Sequence, residues 1–148
     1  MMLRCECLGD QVRRAMAALA LGLGVATANA ACPPGDADGT VIKTKELALA
    51  YRPLIEGKAG KIPMAKHFTL DVQLCDKDGI SAALLKNADA TMPEHRHGMN
   101  YRPVITPLGS GRFRVEGMMF HMAGHWQLSF EVQAGKEVTR FTHDVQID

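Results

Sequence analysis

The chain has 148 residues, 47% of them hydrophobic and 22% charged, with a formal net charge of +1. That length suits one domain with a real core. The near-neutral balance provides no basic surface for nucleic acid and no polybasic membrane patch.

Residues 1–30 are expected to be a signal peptide. Arg13 and Arg14 precede a small, apolar run from Ala15 to Ala28, and Ala28-Asn29-Ala30 has the form of a cleavage site. The apolar run is short for a membrane span and rich in Gly and Ala. The paired arginines suggest a twin-arginine exporter only weakly. A frayed helix of a cytosolic protein is the alternative. Cleavage before Ala31 leaves fourteen basic and fourteen acidic side chains. The expected location is periplasmic or secreted, with no membrane span after cleavage.

Cys5 and Cys7 would leave with the signal, and Cys32 and Cys75 would remain. Two cysteines in an exported domain read as one disulfide. Closing that loop would stabilise by about 3–4 kcal/mol on the chain-entropy argument. A lipidated Cys32 is the rival reading, although Asn29-Ala30-Ala31 lacks the expected upstream aliphatic residue.

Residues 31–64 are predicted as a turn-rich leader and a first strand. Leu47, Leu49 and Tyr51 alternate, and Pro53 interrupts them. Residues 65–148 are predicted as the sandwich core. Phe68, Leu70, Val72 and Leu74 alternate with polar residues, as a half-buried strand does. Asp76-Lys77-Asp78-Gly79 signals a turn. Ala82 to Leu85 offers a short helix, and Ala88 to Thr91 a strand leading to Met92. Pro103 to Pro107 reads as another extended piece. From residue 112, strict alternation puts Phe113 and Val115 on one face and Met118 and Phe120 on the other. Ala123-Gly124 turns the chain. Trp126, Leu128, Phe130 and Val132 start the next strand, and Gly135 turns it into a last strand, Val138 to Ile147. Short strands with turns every eight to twelve residues predict an all-β fold, an antiparallel β-sandwich with Trp126 plugging its core.

The chemistry concentrates in Met92-Pro93-Glu94-His95-Arg96-His97-Gly98-Met99 and in His121-Met122-Ala123-Gly124-His125-Trp126. Imidazole and thioether ligands select copper over harder metals. On an extended chain, residues two apart share a face, so His95, His97 and Met99 are expected to project together, with Met92 brought round by a bend at Pro93. Cu(I) suits such a soft set, and Cu(II) would add nitrogen or oxygen ligands, such as Glu94 or water. Thioethers fit zinc poorly. His121 and His125 are expected to face each other across a hairpin, where they complete the site or stabilise the turn. Taken singly, Met64, Met118 and Met119 read as core gap-fillers. His67 and His143 read as isolated strand or surface histidines. There is no nucleophile elbow, phosphate-cradling loop, zincin helix or dinucleotide fingerprint, so no catalytic constellation is expected.

The run Ala90-Thr91-Met92-Pro93-Glu94-His95-Arg96-His97-Gly98-Met99 resembles the MP-x-H-x-HGM signature of YtkA-like domains. Phe113-Arg114-Val115 and Phe120 to Leu128 resemble that family's second half. The resemblance spans about residues 65–147. The family is similar to FixH-like domains and periplasmic copper carriers. The resemblance implies an immunoglobulin-like sandwich that binds copper through Met92, His95, His97 and Met99. It implies a copper donor or acceptor protein as partner, in copper handling or respiratory-oxidase assembly. The competing expectation is a non-catalytic interaction or assembly-factor domain in which the Met/His segment is structural.

Overall fold

The structure is a computed structural model that describes residues 39–148. The expected signal peptide and Cys32 lie outside the described residues. Those described form eleven strands: β1 (Thr40–Lys43), β2 (Leu47–Ile55), β3 (Lys58–Ala59), β4 (Phe68–Asp76), β5 (Gly79–Ile80), β6 (Leu84–Met92), β7 (His97–Gly98), β8 (Val104–Gly109), β9 (Arg112–Met118), β10 (Gly124–Ala134) and β11 (Glu137–Ile147). One sheet runs β1-β2-β4-β9-β8, with β3 beside β2 and β5 beside β4; the other runs β11-β10-β6-β7. Both sheets are antiparallel, and they pack as a sandwich. No helix occurs among the described residues: β6 begins at Leu84, within the segment offered as a short helix.

Alternation builds the core. Phe68, Leu70, Val72 and Leu74 of β4 are buried, as are Trp126, Leu128, Phe130 and Val132 of β10. Each set contributes the inner face of its sheet. Leu47, Leu49 and Tyr51 of β2 are buried in the same core. The expected first strand therefore belongs to the sandwich, together with β1 from Thr40 onward. Pro53 sits inside β2, opposite Leu70. It is tolerated because its missing N–H lies on the far side from β4. There the β1 pairing has ended at Tyr51 and the β3 pairing starts at Leu54, with only the Pro53 carbonyl bonded, to the Gly60 N–H.

Strict alternation fails where β9 pairs with β4. Leu70 pairs with Val115 but Phe68 pairs with Met118, so Glu116 and Gly117 together oppose Thr69. This is a β-bulge, with Gly117 at φ +86°. The extra residue reverses the parity beyond it. Met118 and Phe120, expected on the opposite face from Val115, are turned inward and fully buried. Met64 corrects a second expectation. It bridges Phe120 through its backbone, yet its side chain is 46% exposed rather than core.

The paired residues Phe120 and Met64 give a direct test. Phe120→Ala is expected to cost about 3–5 kcal/mol, as truncation of a buried aromatic does. Met64→Ala is expected to stay within about 0.5 kcal/mol. Urea unfolding of the two variants, read by Trp126 fluorescence, measures both.

Candidate functional site

The two Met/His segments meet at one end of the sandwich. β6 delivers Met92, and the chain reverses over 93–96 to enter β7. His95 N–H donates to the Met92 carbonyl at 3.2 Å, and Arg96 N–H to that of Pro93 at 3.4 Å. Arg96 takes φ +55°, a left-handed conformation uncommon outside glycine. The hairpin pairs Met92 with His97, and Met99 N–H closes it on the Ala90 carbonyl at 3.0 Å. Directly paired residues share a face, so His97 lies on the inner side with Met92. Met92 is buried, His97 half-buried, and Met99 packs on the core edge. His95 belongs to the loop rather than to a strand. Its ring lies 5.8 Å from that of His97.

The second segment is a crossover, not the expected hairpin. β9 lies in one sheet and β10 in the other, so residues 119–123 carry the chain between them. Phe120 is drawn inward and stacks on Trp126 at 4.6 Å and 4°. Trp126 Nε1–H donates to the Met122 carbonyl at 3.0 Å, which ties the crossover to the indole. His121 is thereby held 5.1 Å from His97, ring centre to ring centre. Both imidazoles stand steeply to the indole, at 72° and 82°. The result is a row of three imidazoles, His95, His97 and His121, over a fixed tryptophan.

His125 does not join that row. On β10 it alternates with the inward-facing Trp126, so it takes the outer face of the sheet. There its Nε2 lies 3.1 Å from Asp144 Oδ1. Gln127 donates to the same carboxylate oxygen at 3.1 Å. The Asp144 carboxyl is held below its usual range first by Gln127 and, less, by His125.

Two details bear on ligand chemistry. His97 Nδ1 lies 3.3 Å from the Gly98 carbonyl, which can only accept. That contact favours the proton on Nδ1 and leaves the Nε2 lone pair available. His121 Nδ1 is buried and has no hydrogen-bond partner among the described residues. Met92 Cε would lie 2.8 Å from a Cβ added to Gly124, so glycine there gives the Met92 methyl its room. Among the described residues no three His, Cys, Asp or Glu side chains are grouped to hold a metal ion. An ion at this end therefore needs thioether or solvent ligands beside the imidazoles.

Another histidine is better placed than its sequence context suggests. His143 of β11 faces inward, and its Nδ1 is 2.6 Å from the Tyr51 hydroxyl of the opposite sheet. Burial pushes the Tyr51 phenol up to about 12, partly offset by a hydrogen bond from Thr40. Cys75 is buried and disulfide-bonded, and its partner lies outside the described residues.

No family model matches the sequence, and no curated protein matches it. Among solved structures, the chain is similar to a DUF4426 family protein from Pseudomonas aeruginosa PAO1. The identity is 10% and the TM-score 0.52, over 74% of this chain and 94% of that one. At that identity the likeness speaks for the fold alone.

The Tyr51 phenol gives a pH test. Below about pH 10 both folded and unfolded chains keep the proton, and its contribution is complete. As pH rises from there toward about 12, the unfolded chain ionises first and stability falls. Urea unfolding at stepped alkaline pH is expected to show wild type losing more stability than Tyr51→Phe. Equal slopes would mean that burial does not hold this proton.

Proposed function

We propose that this protein is an exported copper carrier, related to YtkA-like domains. It holds Cu(I) at the Trp126 end of the sandwich and exchanges it with a copper donor or acceptor protein without catalysing a reaction. His97 and His121 would supply imidazole nitrogen. Met92 and Met99 would supply thioether sulfur from the same edge, and His95 would stand at the mouth. This soft, mixed set suits Cu(I). The observation that carries the proposal is the His97–His121 pair. One ring has a lone pair left available by its neighbour's carbonyl, and the other has a buried nitrogen without a partner. His125 is left out, because Asp144 already engages it. Export would place Cys32 and Cys75 in an oxidising compartment, and we assign Cys32 as the partner of Cys75.

A second reading has its own support. Met92 is buried at the Gly124 backbone, as a structural residue would be. The Met/His hairpin would then clasp the sheets of an interaction domain.

Titration with Cu(I) against a competing chelator separates the readings, and the single tryptophan serves as reporter. Wild type is expected to bind one equivalent with quenching of Trp126 fluorescence. His97→Ala with His121→Ala is expected to weaken binding at least about 100-fold, or roughly 2.7 kcal/mol, while remaining folded. A wild type that binds no copper, together with a double variant that unfolds, would establish the clasp instead.

A further inference from the structure

A cleft of 340 Å³ opens where β11, the edge of one sheet, faces β1–β3 of the other. His143 occupies an inward position on β11, between Phe141 and Val145, where the alternation calls for an apolar side chain. It reaches across the seam to Tyr51 at 2.6 Å. The phenol O–H donates to His143 Nδ1 when the imidazole proton sits on Nε2, and Thr40 lines the same cleft. In that tautomer Nε2–H is the remaining donor, and His143 lines the cleft.

The rest of the lining is one-sided in charge. Among the described residues Lys61 is its only formal cation, and no Asp or Glu lines it. Pro53, Ile62 and Val145 supply apolar wall. Apolar walls with a few convergent polar groups are the ordinary composition of a small-molecule site, and the volume is at the lower end of that class. Donors and a cation without an opposing carboxylate ask for an anionic acceptor. Carbon walls ask for an apolar body behind it. A lone ammonium without a cradle of backbone amides is poor provision for a bare phosphate.

We propose that this cleft binds a small carboxylate with an apolar tail, the carboxylate between Lys61 and His143 and the tail on Pro53, Ile62 and Val145. The site is independent of the copper reading and shares none of its ligands.

The test is an NMR titration of the full exported protein with hexanoate, hexylamine and hexanol, observing the imidazole resonances. Hexanoate is expected to shift His143 saturably, with a dissociation constant at or below about 1 mM. Hexylamine is expected to leave it unchanged. Lys61→Gln, an exposed substitution, should weaken hexanoate binding at least about fivefold and leave the unfolding midpoint in place. Tyr51→Phe should weaken it too, and His97→Ala should not. The proposal is overturned if hexanoate produces no saturable shift of His143. It is equally overturned if all three probes bind alike, or if Lys61→Gln binds hexanoate as wild type does.

Discussion

The stack of Phe120 on Trp126 is the contact on which the Met/His end of this protein depends. It closes the sandwich where the chain passes from one sheet to the other. Phe120 comes from the crossover and Trp126 from the strand that follows it. Holding the two rings parallel at 4.6 Å fixes the link between them. Trp126 Nε1–H then satisfies itself on the Met122 carbonyl, so the buried indole leaves no unpaired donor. His121 lies between these anchors and has little freedom to move away from His97. Loss of the stack would therefore act twice, on core packing and on the imidazole pair.

Order at this end comes from backbone constraint more than from polar contacts among the site residues. The bulge at Gly117 turns Phe120 inward. The left-handed Arg96 turns the chain tightly enough for His97 to pair with Met92. Gly124 leaves space that the Met92 methyl fills. Such a frame positions soft donors while leaving their lone pairs uncommitted. The proposed carrier role needs that balance, because a site that satisfied every donor internally would have nothing left to offer an ion. The opposite end of the polarity scale is found at His143. Its Nδ1 is committed to Tyr51, and that cross-sheet bond joins the two sheets along their open seam.

Much of the fold was legible because period-two alternation is strong in β4 and β10, and the turn at Gly135 is unambiguous. Two kinds of information were not local enough to read. Bulges are invisible to a strict alternation rule, so Met118 and Phe120 were put on the wrong face; the glycine at 117 was the available signal. Sheet membership was also hidden. Residues 119–123 look like a hairpin turn, but β9 and β10 belong to different sheets, which separates His121 from His125. For the candidate site, the first motif lies at the Trp126 end of the sandwich, although His95 and His97 approach each other through a loop and not along one strand face. His143 reads as an isolated histidine in the sequence, because its partner Tyr51 lies 92 positions away. The inward parity shared by Phe141, His143 and Val145 was the usable hint.

On the copper reading proposed above, the soft donors of this end bind one copper ion together. X-ray absorption at the copper edge of the Cu(I)-loaded protein measures that shell most directly. The account predicts imidazole nitrogen and thioether sulfur in a single low-coordinate shell. The sulfur contribution should fall when Met92 and Met99 are both replaced by Leu. A shell of nitrogen and oxygen alone, unchanged by that replacement, would contradict it.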